Sequence, residues 1–92
     1  MENLQTKEYI IHGYVHGVCF RWFVQKWAVS LNVTGFVRNV PSGTVQTTIT
    51  GTPEQHIAMY QKLQEGPPSA HITHIDINEK PLTKYKSFEI TY

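Results

Sequence analysis

Residues 8–31 read EYIIHGYVHGVCFRWFVQKWAVSL, and the hydrophobic period changes midway along them. Glu8 to Val15 is rich in β-branched and aromatic residues and reads as a strand. His16-Gly17-Val18-Cys19 interrupts it, with Gly17 free to take backbone angles that other residues avoid. From there Phe20, Phe23, Val24, Trp27, Ala28 and Leu31 recur at spacings of three and four, the apolar stripe of a helix laid on a core. A strand that passes through a short glycine loop into a helix is the first half of a β-helix-β crossover, and the rest of the chain has to complete it.

The completion follows in order. Asn32 tolerates the left-handed conformation that closes a helix, and Val33 to Val40 reads as a second strand before the turn Pro41-Ser42-Gly43. Thr44 to Thr50 alternates, with Val45, Thr47 and Ile49 on one face and Thr44, Gln46, Thr48 and Thr50 on the other, so a half-buried third strand is expected. Thr52-Pro53-Glu54-Gln55 combines an N-cap, a first-turn proline and a glutamine three residues on, which starts a second helix. That helix is expected to bury Ile57, Tyr60 and Leu63 with Met59, and to stop at Gly66-Pro67-Pro68. Ile72, Ile75 and Ile77 suggest a fourth strand with an irregularity after Ile72, and Phe88, Ile90 and Tyr92 a terminal one. The order is βαββαβ plus a final strand: an α+β fold with two helices on one face of an antiparallel sheet, in a single domain over residues 1–92.

With 92 residues, 40% of them hydrophobic, one core is the expectation. Eight Lys plus Arg stand against seven Asp plus Glu, so no general field draws in nucleic acid or a membrane, and any anion site is local. Cys19 is the single cysteine and cannot form an intramolecular disulfide, Met1 to Ile10 is polar, and no apolar run approaches the roughly 20 residues needed to cross a bilayer. A cytoplasmic monomer is expected. Neither the nucleotide-triphosphate loop nor the dinucleotide glycine pattern occurs, so no cofactor is expected.

The two arginines are Arg21 and Arg38. Arg21 stands on the first turn of the first helix, behind a glycine loop, where free backbone N–H groups point outward and carry partial positive charge. A cation there opposes the helix dipole unless an anion compensates it. A right-handed crossover returns the second strand parallel to the first, so Asn39 is expected to approach Arg21. The amide of Asn39 is able to hold a water but not to deprotonate it. An arginine and an asparagine offer no general acid, general base or covalent nucleophile, so the substrate must bring a good leaving group. An acyl phosphate does: its carboxylate, with a pKa of about 4, departs without protonation. Phosphoryl transfer then asks mainly for positioning and for stabilisation of oxygen charge.

Gly13-Tyr14-Val15-His16-Gly17-Val18-Cys19-Phe20-Arg21 resembles the acylphosphatase signature, and Gly35-Phe36-Val37-Arg38-Asn39 with Ser42-Gly43-Thr44-Val45 resembles that family's second block. Gly66-Pro67-Pro68-Ser69-Ala70 and Ser87-Phe88-Glu89-Ile90 extend the likeness over nearly the whole chain. The resemblance implies a ferredoxin-like fold and metal-free hydrolysis of a small-molecule acyl phosphate. It implies phosphate bound by the backbone amides of His16, Gly17, Val18, Cys19 and Phe20 and by Arg21, with Asn39 positioning water. The family usually has glutamine where this chain has His16. An RNA-recognition module is also compatible with such a fold, but Thr44 to Thr50 carries no stacking aromatic.

Plainer roles are assigned to the remaining candidates. Arg38 alternates with Asn39 and is expected on the opposite face, exposed or structural. Thr44 is a secondary candidate, a hydroxyl just beyond the turn. Cys19 has no base to activate it and is expected to be a short buried structural residue. His12 with His16, and His71 with His74, lack the company and spacing of strong zinc signatures, so no metal site is expected.

Overall fold

A computed structural model describes residues 3–92; Met1 and Glu2, the start of the polar segment noted above, lie outside the described residues. The first strand, β1, runs Gln5–Tyr14, helix α1 Phe20–Ser30, β2 Thr34–Asn39, β3 Val45–Gly51, α2 Pro53–Glu65, β4 His71–Lys80 and β5 Phe88–Ile90. β1 begins three residues earlier than its apolar run because Gln5 pairs with β3, and Thr6 and Lys7 with both β3 and β4, so these polar residues are held in the ladder. The helix ends follow from local chemistry. Asn32 takes φ 60, Val33 N–H reaches Ala28 C=O and Asn32 N–H reaches Val29 C=O, a Schellman closure of α1. Thr52 and Gln55 form the reciprocal capping box of α2, with Pro53 at its first position.

The strands lie in the order β4-β1-β3-β2-β5. Each neighbouring pair among β4, β1, β3 and β2 is antiparallel, while β5 runs parallel to β2 and makes the sheet mixed. The irregularity after Ile72 is a bulge. His12 faces His74 but Gly13 faces Ile72, leaving Thr73 unpaired. Gly13 has φ +131, and a Cβ there would stand 2.0 Å from the carbonyl oxygen of His71, so only glycine fits the bulge.

Both helices cover one face of the sheet. Tyr9, Ile11, Val37, Val45 and Ile49 meet Phe20, Val24, Ala28, Met59 and Leu63 in the core between them. Because β4 and β5 are opposite edges, the chain joining them crosses the other face. Thr83 N–H donates to Thr6 Oγ1 at 2.9 Å, Thr50 donates to Thr83 C=O at 2.5 Å, and Tyr85 meets Phe36 edge to face. This strap buries Thr48 and Thr50, so β3 is covered on both faces and not half-buried as its alternation suggested. Tyr92 lies beyond β5 and is 96% exposed.

The second helix buries His56, Met59 and Leu63, whereas Ile57, expected inside, is 63% exposed. The inward positions are spaced three and four apart, and Ile57 lies about 100° round the helix from His56. The reason a histidine takes the inner position is that its polarity is fully matched. Its Nε2–H donates to Gln5 C=O at 2.8 Å, which leaves Nδ1 unprotonated to accept from the Tyr9 hydroxyl at 2.6 Å. Burial, the largest cause, pushes the His56 pKa down from its ordinary value. The neutral ring is therefore the native form, and the unfolded chain takes up the proton first. Stability contributed by this group is complete above about pH 6.5 and is lost as pH falls through and below that value toward the lower folded pKa. His56→Phe is expected to cost about 2–4 kcal/mol, because two buried polar partners lose their match, and to flatten that stretch of the profile. Urea unfolding of both proteins between pH 7.5 and pH 5 is the check; parallel profiles contradict it.

Candidate active site

β1 and β2 both run antiparallel to β3 and are therefore parallel to each other, so the loop after β1 and the end of β2 meet at one edge of the sheet. There a cavity of about 330 Å³ is lined by Val15, Gly17, Cys19, Phe20, Arg21 and Asn39. The crossover thus brings Arg21 and Asn39 to one opening, as the sequence led one to expect.

The loop is anchored by its apolar side chains. Val15, Val18 and Phe20 are buried in the core. Gly17 at φ 69 and Cys19 at φ 62 are both left-handed and reverse the backbone twice within three residues. Among the described residues, the backbone N–H groups of residues 16–20 donate to no protein acceptor. Cys19 occupies the N-cap of α1 without a side-chain cap, and the first turn carries no acidic residue. The helix end therefore offers unmatched donors and positive potential to the cavity. Cys19 is exposed, not buried as expected: its left-handed angle turns the thiol out of the core.

Arg21 forms no ion pair among the described residues, and its guanidinium lies 4.8 Å from the centre of the Tyr92 ring, a cation–π distance. Asn39, the last residue of β2, directs its side chain to the helix side of the sheet, the side of buried Val37. Arg38 lies on the other side, where its Nε donates to Gln46 Oε1 at 2.7 Å and Gln46 in turn donates to Glu8, a structural network. His16 and Val18 do not line the cavity, because Val18 is buried and the His16 ring is tied elsewhere. His16 Nε2–H donates to Thr44 C=O at 2.8 Å, and Val40 N–H donates to the same oxygen. The ring thereby clamps the loop to the β2–β3 turn, a bond that a glutamine amide is equally able to donate. Thr44 also stays off the cavity, its hydroxyl 3.2 Å from that of Ser42.

Two larger cavities lie elsewhere. One, about 500 Å³, is bounded by Asn32, Thr50, Lys84 and Tyr85. The other, about 580 Å³, is bounded by Tyr9, His56, Ile57 and Tyr60. Neither joins a helix N-terminus to a free arginine. A further grouping escaped the sequence: His12 meets His74 and Asp76, not His16. Only the register of β1 on β4 reveals it, and that register passes through a bulge.

Taken as a class, the fold is a ferredoxin-like sandwich with its candidate site at the first loop-helix corner. The acylphosphatase family model matches residues 7–90. An acylphosphatase of Koribacter versatilis is 36% identical over 90 residues, covering 97% of this chain and 82% of its own length. One of Thermococcus kodakarensis is 43% identical over 72 residues, covering 77% of this chain and 79% of its own. The crystal structure of acylphosphatase from Bacillus subtilis superposes with a TM-score of 0.93 at 30% identity, covering 98% of this chain and 100% of that one. This chain belongs to the acylphosphatase family. Among the described residues no helix is long and apolar enough to cross a membrane.

Proposed function

We propose that this protein hydrolyses the carboxyl–phosphate bond of acyl phosphates, releasing a carboxylate and inorganic phosphate, by direct attack of a water held by Asn39. The phosphate rests on the backbone amides of residues 16–20 and on the guanidinium of Arg21. The observation that carries the reading is that Arg21, which makes no ion pair among the described residues, Asn39, and the loop residues Gly17, Cys19 and Phe20, whose amides are unmatched, all line one cavity. The water oxygen bonds to phosphorus as the bond to the carboxylate oxygen breaks, the electron pair leaves with the carboxylate, and the water's protons pass to phosphate oxygens. No protein group changes protonation, which suits a site where, among the described lining residues, the one charged side chain is an arginine. Turnover needs no metal and no cofactor, and the enzyme works as a cytoplasmic monomer.

Benzoyl phosphate is a suitable probe. In excess EDTA the protein is expected to hydrolyse it at its full rate, and in ¹⁸O-labelled water the label is expected in phosphate and not in benzoate. Label in benzoate, or a rate that returns only with added metal, would defeat the mechanism.

Cys19 provides an independent check, because it is exposed and lines the same cavity. Alkylation with N-ethylmaleimide is expected to lower turnover at least tenfold and to be slowed by saturating inorganic phosphate. Alkylated protein of undiminished activity would place the reaction elsewhere.

A further inference from the structure

We propose that His12, His74 and Asp76 bind one divalent transition-metal ion of the zinc class, on the sheet face opposite the helices and separate from the acyl-phosphate cavity. Ile11 is buried on the helix side, so His12 projects to the other side, and the cross-strand pairing sets His74 directly opposite it. Asp76, two residues further along β4, is on the same face.

The three side chains gather at the Asp76 carboxylate. His12 Nε2 is 2.8 Å from Asp76 Oδ2, and His74 Nε2 is 3.7 Å from Asp76 Oδ1. The two imidazoles are stacked, with centroids 4.0 Å apart and planes 10° apart, so a shared ion requires a turn of the rings that brings both in-plane lone pairs onto it. All the candidate ligand atoms lie within 4.8 Å of one another. Ligands about 2.0–2.2 Å from a tetrahedral zinc stand about 3.4 Å from each other, a spacing that the two carboxylate distances straddle. A cation at the centre replaces the hydrogen-bonded proton between imidazole and carboxylate, with side-chain adjustment and no movement of strands.

Donor type selects the metal. Two imidazole nitrogens and one carboxylate oxygen suit zinc, nickel or copper, while magnesium and calcium favour all-oxygen shells. Three protein ligands leave the fourth position to water. His12 and Asp76 belong to the β1–β4 ladder, in which His12 pairs with His74 and Ile10 with Asp76, so the ligands are held at fixed cross-strand spacing, with the bulge lying just beyond His74. The Thr73 bulge is the local feature that brings His74, and not Thr73, opposite His12. The ion takes no part in hydrolysis, and its binding does not depend on the assigned function.

The test is titration calorimetry of chelator-stripped protein with zinc chloride. The expected result is one ion per chain, with affinity reduced at least tenfold in His12→Ala, in His74→Ala and in Asp76→Asn, and unchanged in His71→Ala. Excess magnesium is expected not to compete. His74 and Asp76 are exposed on an edge strand, so their variants should fold; a zinc-dependent rise in Tm of the wild type, absent from both, gives a second readout. Failure of the wild type to bind a stoichiometric ion overturns the proposal. So does equal binding by a His12→Ala/His74→Ala double variant, since the cluster would then be only a hydrogen-bonded surface group.

Discussion

Arg21→Ala is expected to lower kcat/KM for benzoyl phosphate by at least about a thousandfold and to abolish competition by inorganic phosphate. Removing one oxyanion donor from an active site typically costs about a hundred- to a thousandfold, and removing an arginine that neutralises phosphoryl charge costs more. Arg21 combines both tasks in the proposed site, as the one charged side chain among the described residues that line the cavity. The loss should not come from unfolding. The side chain makes no ion pair among the described residues, and a cation at a helix N-terminus opposes the dipole by about 0.3–1 kcal/mol. Loss of the Arg21–Tyr92 contact offsets that relief, so the variant is expected to lie close to the wild type in urea. An inactive variant that is also clearly less stable would mean that Arg21 serves the fold.

Asn39→Ala separates binding from turnover. The phosphate in the proposed site rests on amides and Arg21, none of which the substitution removes, so the inhibition constant for inorganic phosphate should stay within a few-fold of wild type. The rate should fall about a hundred- to a thousandfold, because the attacking water loses the group that orients it. Asn39 ends β2 half-buried, and its amide side chain has no hydrogen-bond partner among the described side-chain bonds, so stability should change little. Kinetics and phosphate inhibition on one preparation decide it. An unchanged kcat removes Asn39 from the mechanism, and lost phosphate affinity makes it a binding residue instead.

Much of this architecture is legible in the chain because its signals are local. The period change at Phe20, the capping box at Thr52 and the left-handed Asn32 each act within a few residues, and each forms as read. The meeting of Arg21 with Asn39 is less local, yet crossover handedness leaves one edge where the two strands can finish together. What escaped depends on distant partners. Ile57 is more apolar than His56, but the inner position goes to the histidine because Tyr9 and Gln5 satisfy both of its nitrogens. Thr48 and Thr50 are buried by a strap that passes over them from residues 81–87, far along the chain. Cys19 turns outward because the loop needs a left-handed residue at the helix start, which composition cannot reveal. His12 and His74 are brought together by a register that a single extra residue, Thr73, sets.

Whether the loop after β1 holds the phosphate is decided by titrating ¹⁵N-labelled protein with inorganic phosphate and following the backbone amides by NMR. Saturable shifts are expected for the amides of residues 16–20 and for the Arg21 side-chain Nε, all with one dissociation constant, and none of the amide shifts in Arg21→Ala. Saturable shifts confined to another part of the surface, with the loop amides unmoved, would contradict phosphate binding at the loop.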